Sequence, residues 1–212
     1  MFDKNYNNTS SLNCFDYEKY CVLDIETNGQ KNPDIIEIAI QPLSSNPCDL
    51  PNPWSSLIKP NKNITQHATS IHRITNENVK YAPKCEELKY TIIDLLKNKC
   101  IIAHNAAYDL KVLRECIPEI NQYEYIDTLR MAKYVWPNLY SYSLDYILLN
   151  KNIKSDIKYF TRHRAPYDAN VTAKIFLLLL AEINYDINIY SNNQSKKSKN
   201  CSNNQFNLFG DI

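Results

Sequence analysis

At 212 residues, with 44% hydrophobic and 22% charged side chains, the chain has enough material for one well-cored domain and a tail, but not comfortably for two domains. No apolar run approaches the ~20 residues needed to cross a bilayer, and the start lacks a basic segment followed by an apolar one, so a cytoplasmic protein with no membrane partner is expected. The net charge of +1 does not by itself suggest a nucleic-acid binder, since purely electrostatic binders are usually strongly basic; Lys196, Lys197 and Lys199 in the tail outweigh Asp211 and leave the rest at −1.

Residues 1–16 are rich in Asn, Ser and Thr without hydrophobic period and read as a flexible lead-in. A short apolar, β-prone run over 20–25 is followed by Asn28-Gly29, a turn signal, and a second run over 34–41, which together read as a hairpin. A third strand is expected over 55–59, and short helical segments around 74–79. Residues 84–98 carry Leu88, Ile92, Leu95 and Leu96 at helical spacing. A buried strand over 100–103, a helix over 105–116, a strand over 123–126 and helices over 128–134, 143–149 and 166–183 complete the body. Strands first, then strand and helix in alternation, predict an α/β layered domain with a mixed central β-sheet flanked by helices. The seven-residue run from Ile175 to Ala181 belongs to a core helix. Seven cysteines without a C-x-x-C pair fit reduced thiols and offer no zinc site.

Three separated acidic motifs carry the chemistry. In Asp24-Ile25-Glu26-Thr27, strand alternation puts both carboxylates on one face at the end of an apolar strand. Alone, such a pair also fits a hydrated strand end. In His104-Asn105-Ala106-Ala107-Tyr108-Asp109, Asn105 and Asp109 stand one helical turn apart, which also suits a helix cap with a favourable first-turn charge. In His163-Arg164-Ala165-Pro166-Tyr167-Asp168, Pro166 suits the first turn of a helix that contains Asp168, with His163 on the loop leading in. Four convergent carboxylates fit phosphodiester hydrolysis assisted by two divalent cations, Mg²⁺ or Mn²⁺ in preference to zinc because no Cys or paired His is in place. A neutral His163 can take a proton from the attacking water, Arg162 and Arg164 beside it disfavour its charged form, and the same arginines can hold phosphates.

The order D-I-E-T, H-N-A-A-Y-D, H-R-A-P-Y-D resembles the DEDDh branch of the DnaQ-like 3′→5′ exonucleases across residues 20–183. That resemblance implies an RNase H-like fold over a domain of 17–185 and two Mg²⁺ (or Mn²⁺) per site. It implies Asp24, Glu26, Asp109 and Asp168 as metal ligands and His163 as general base, all five being present. Ser70-Ile71-His72-Arg73-Ile74-Thr75 and Trp136-Pro137 are most similar to the DNA-degrading exonuclease X branch. Thr27, His72 and Asn105 are therefore expected at the substrate, with Arg162 and Arg164. The loop from Asn28 to Pro33 is longer and more polar than the family pattern, which bears on how single-stranded and duplex DNA 3′ ends are received.

After a linker over 186–204, Gln205-Phe206-Asn207-Leu208-Phe209 resembles the pentapeptide by which bacterial repair proteins dock on the polymerase sliding clamp. Gln205, Leu208 and Phe209 would make the contact and the linker would permit tethering, unless Leu208 and Phe209 fold back onto the core. The function expected is a DNA 3′→5′ exonuclease of repair or end processing held at the clamp. The alternatives are an RNA trimming enzyme of the RNase T or oligoribonuclease type, separable by matched DNA and RNA oligomers, and a non-catalytic 3′-end adaptor, which would lack a ligand or base.

Overall fold

The computed structural model describes residues 15–187. Its centre is a five-stranded mixed sheet in the order β3-β2-β1-β4-β5, formed by β1 (Tyr20–Thr27), β2 (Ile35–Pro42), β3 (Trp54–Leu57), β4 (Cys100–Ala103) and β5 (Tyr125–Asp127). The β1–β2–β3 meander is antiparallel, as the Asn28-Gly29 turn predicts, whereas β4 and β5 run parallel to β1. Parallel neighbours need crossovers, and α3 (Cys85–Leu96) and α4 (Ala106–Cys116) provide them. The mixed sheet with flanking helices is the RNase H-like fold.

Strand alternation divides the interior into two cores. Cys21, Leu23 and Ile25 of β1, with Ile38 and Ile40 of β2, face the layer that contains Ile92, Leu96, Leu110 and Leu113 of α3 and α4. Val22 and Ala39 face the opposite layer, dominated by α7 (Ala165–Glu182). Because residues two apart share a face, Asp24, Glu26 and Glu37 emerge on the α7 side as well. The helix α7 packs on β1 and β2 and touches α5 (Thr128–Val135) and α6 (Leu144–Asn150), which explains why it is apolar nearly all round, with Phe176, Leu179 and Leu180 fully covered. No helix among the described residues is long and apolar enough to cross a membrane.

Two expectations change. Helical structure after β3 begins earlier than expected, with α1 (Gln66–His72) preceding α2 (Asn76–Val79). Only Ala68 and His72 of α1 are buried, so it has no apolar stripe; Thr65 caps it by accepting from the Ala68 amide. The helix anchors the Asn28 loop, where Gly29 has φ +71° and a Cβ there would stand 2.6 Å from Thr65 Oγ1 and 2.8 Å from Ala68 Cβ. Second, Cys85 and Cys116 are joined in a disulfide, in contrast to the expected reduced thiols. The start of α3 and the end of α4 bring their Cα atoms to 6.4 Å, a proximity across 31 residues with no local signature. The clamp-like segment with Gln205, Leu208 and Phe209 lies outside the described residues.

Candidate active site

The carboxyl ends of β1, β4 and β5 meet at one edge of the sheet. A register shift between Glu26 and Thr27 turns the chain just past the Asp24–Glu26 pair. Asp109 enters from the first turn of α4 and Asp168 from the first turn of α7. Asp24, Glu26 and Asp168 each offer a carboxylate oxygen, and these lie within 4.8 Å of one another. Asp109 stands outside this trio but lines the same pocket, of about 340 Å³, as do Asn105, Arg162 and His163. A larger hollow of about 940 Å³ lies around Tyr20, Tyr90, Lys97 and Tyr123 at the start of β1 and β4, without convergent carboxylates.

The acidic side chains are electrostatically frustrated. Burial, then the charges of Asp168, Asp109 and Glu26, push the Asp24 carboxyl well above the usual range. Burial and Asp168 push Glu26 up to about 8. Burial likewise raises Asp168 to about 7, even though Arg162 and the His163 amide oppose the rise. Asp109 is raised by burial, then by Glu26 and Asp127. Asp168 Oδ1 is buried without a hydrogen-bond partner, while Oδ2 accepts from Arg162 Nη1 and from the His163 amide at 3.2 Å. Crowded carboxylates with an unpartnered buried oxygen fit an all-oxygen divalent cation site, and the donor set suits Mg²⁺ or Mn²⁺.

His163 adopts the left-handed region at φ +66°, a conformation that costs a non-glycine residue about 1–2 kcal/mol and is held here by its amide bond to Asp168. Burial, then the Arg162 charge, keeps its imidazole below the ordinary histidine range. Neutral imidazole at physiological pH follows. The two arginines beside it have different surroundings. Arg162 reaches Asp168 by Nη1 and Asp145 by Nε at 2.5 Å. Arg164, expected to hold phosphate, is committed instead to Glu37 through Nε at 3.0 Å and Nη2 at 2.6 Å, and the Ala165 amide joins the same carboxylate at 2.9 Å. Arg164 does not line the pocket; it fixes the start of α7 to β2.

Asn105 heads α4 at φ +64°, and its side chain makes no capping bond, in contrast to the simple cap that the sequence also allowed. Its amide donates to Asp127 Oδ1 at 3.0 Å, and the same oxygen accepts from the Leu129 amide at 2.9 Å. Asp127 is therefore the carboxylate that shapes the β4–α4 turn carrying Asp109. Thr27 Oγ1 shares a 3.0 Å hydrogen bond with the Tyr108 hydroxyl, and Tyr108 lines the pocket. His72 is buried away from the pocket lining; its Nδ1 accepts from the Ile74 amide at 3.0 Å, which leaves Nε2 to carry the proton beside the Thr27 backbone. Burial lowers its basicity. Asp127, Tyr108, Asp145 and Glu37 were not expected as site residues. Asp127-Thr128 at a strand-to-helix junction is a capping signal that points to the first; the others owe their places to long-range packing.

The profile of the exonuclease family RNase_T matches residues 21–176. Similar proteins include the PolC-type DNA polymerase III of Thermotoga petrophila, 34% identical over 176 residues that make up 80% of this chain and 12% of that protein. Exodeoxyribonuclease 10 of Escherichia coli is 32% identical over 157 residues, 74% of this chain and 66% of that protein. The chain thus spans a small part of its polymerase relatives. Among solved structures, exonuclease X in complex with 5′ overhanging duplex DNA matches with a TM-score of 0.65 at 28% identity, over 76% of this chain and 91% of that one. Escherichia coli exonuclease I with a dT13 oligonucleotide shares the fold, with a TM-score of 0.67 at 17% identity over 81% of this chain and 43% of that one.

Proposed function

Since the chain belongs to the RNase_T family of exonucleases, and to its DnaQ-like DEDDh type, we propose that it hydrolyses phosphodiester bonds at DNA 3′ ends and releases mononucleotides. The observation that carries this reading is the Asp24–Glu26–Asp168 trio, with oxygens within 4.8 Å of one another and the His163 amide bonded to one member. Asp24, Glu26 and Asp168 would hold two Mg²⁺ or Mn²⁺ ions directly, with Asp109 as a further ligand from the pocket wall. Such ions polarise the attacking water and offset the charge on the phosphate and the departing 3′ oxygen.

His163, kept neutral by burial and Arg162, takes the proton of that water at an imidazole nitrogen. The Asp168 carboxylate holds the His163 backbone in its left-handed turn, so base and ligand move as one unit. Asn105 and Tyr108, the latter hydrogen-bonded to Thr27, border the space for the terminal nucleotide. DNA as substrate is supported by the names of the similar polymerases and of exodeoxyribonuclease 10. A place in repair or end processing, with delivery by the sliding clamp through Gln205, Leu208 and Phe209, is supported by the sequence of the tail.

Asp24→Ala is expected to abolish divalent-dependent release of mononucleotides from 3′-ended oligomers, measured on matched DNA and RNA; unchanged release from Asp24→Ala would sink the assignment. Faster release from RNA than from DNA would replace the substrate class. Replacing Leu208 and Phe209 by Ala should weaken binding to a bacterial clamp without slowing digestion of short oligomers, and equal clamp binding would remove the tether.

A further inference from the structure

We propose that Arg162 is an internal counter-cation of the carboxylate trio, which divalent ions displace from Asp168 onto Asp145. The inference rests on the metal-site reading above. Arg162 bridges two carboxylates of opposite situation: the Asp168 side chain is 5% exposed and the Asp145 side chain 61%. It binds each through a single nitrogen, Nη1 to Asp168 and Nε to Asp145. Arg164 shows what a fixed structural pair looks like nearby, with two nitrogens on the two oxygens of one buried carboxylate. A guanidinium divided between an interior ligand and a surface residue can change partner by a small rotation, because the second contact is already made.

Electrostatics gives the exchange its direction. Asp168 serves the guanidinium through Oδ2 and belongs, with Asp24 and Glu26, to the group that could hold an ion. A divalent ion on that group and a guanidinium on the same carboxylate are like charges a few ångströms apart in a partly desolvated pocket, where repulsion is far stronger than in water. Retreat toward Asp145 relieves it. The acceptor stands ready, because Asp145 sits in the first turn of α6, whose start is fixed by the Ser143 side chain accepting from the Tyr146 amide. The His163 amide keeps its own bond to Asp168, so the base need not move with the arginine. Arg162 and Asp145 would thereby set the cation concentration at which the trio fills.

The test is Mn²⁺ binding to the full chain, followed by electron paramagnetic resonance of the free ion, for wild type, Arg162→Gln, Asp145→Asn and the double variant. Arg162→Gln should bind Mn²⁺ about tenfold more tightly, equivalent to about 1.4 kcal/mol. Asp145→Asn, at a position whose side chain is 61% exposed, should bind several-fold more weakly, because Arg162 then has only Asp168. That weakening should vanish in the Arg162→Gln background. Equal or weaker binding by Arg162→Gln overturns the proposal in favour of an arginine that merely orients Asp168. An Asp145→Asn effect that persists undiminished in the double variant overturns it too, since Asp145 would then act by its own charge. Wild-type protein that binds no Mn²⁺ would remove the metal-site reading itself, a result distinct from either of these.

Discussion

Replacing Asp168 by Asn should make the chelated protein less sensitive to rising pH, even as it removes a carboxylate of the proposed ion site. The Asp168 carboxyl ordinarily titrates at 3.8 but is pushed to about 7 in the fold, where the residue is 3% exposed. Between these values the folded chain holds a proton that the unfolded chain has already released. Stability therefore falls as pH rises through this window, and above about 7 the whole cost of the buried charge stands. The gap between 3.8 and about 7, at 1.36 kcal/mol per pH unit, corresponds to on the order of 4 kcal/mol. Relaxation and water entry reduce this, so about 2–4 kcal/mol is the expected range. The substitution also removes the Arg162 contact, but that loss adds an offset that varies little with pH. Urea denaturation of both proteins with EDTA at steps from pH 5 to pH 8 separates the two effects. The stability difference should swing toward the variant by about 1–2.5 kcal/mol across this range, which takes in only the part of the window from pH 5 to about 7. Parallel curves for the two proteins would refute the reasoning, for they would mean that Asp168 is ionised throughout.

His163→Ala should slow mononucleotide release by about 10²–10⁴-fold while leaving Mn²⁺ affinity within a few-fold, since a proton acceptor is lost and no carboxylate is; comparable losses of binding and rate would deny it the role of base. Glu37→Gln should cost about 3–5 kcal/mol in urea denaturation, because Arg164 and the Ala165 amide lose an acceptor that is 2% exposed. A loss below about 1 kcal/mol would show that the start of α7 is held by other contacts.

The sheet and the convergence of the acidic side chains were legible because both follow from short-range periodicity. The apolar alternation of β1 places Val22, Asp24 and Glu26 on one face, and the same arithmetic on β2 places Ala39 and Glu37 there. The apolar surround of α7 signalled a helix covered on nearly all sides. What stayed hidden depends on partners far apart in the chain. Glu37 is one polar residue within an apolar strand, and its partner Arg164 lies 127 positions away. Neither side of that pair carries a local sign that the arginine would be committed to β2 in place of a phosphate. Asp145 is a helix first-turn acid by local pattern, and only the approach of Arg162, 17 positions on, gives it a link to the pocket. The Cys85–Cys116 pairing is hidden for the same reason. His72 was found through motif likeness, whereas its buried place beside Thr27 follows from how α1 packs on the Asn28 loop.

The site depends most on the start of α7. Asp24 and Glu26 come with β1, in the middle of the sheet, where they pair with Ala39 and Glu37 of β2 just beyond the point at which the β4 pairing ends at Val22. Asp168 and His163 arrive from the other end of the chain and reach the sheet edge only if α7 begins at the right residue. Pro166 favours that start, and Glu37 locks it by accepting from both Arg164 and the Ala165 amide. The Asp168 carboxylate then accepts from the His163 amide and holds His163 in a left-handed turn that the residue would otherwise avoid. Glu37 thus governs two members of the site without touching either. Loss of the carboxylate on β2 should therefore displace Asp168 and His163, the proposed ligand and base, together, a coupling that neither the D-I-E-T motif nor the H-R-A-P-Y-D motif contains by itself.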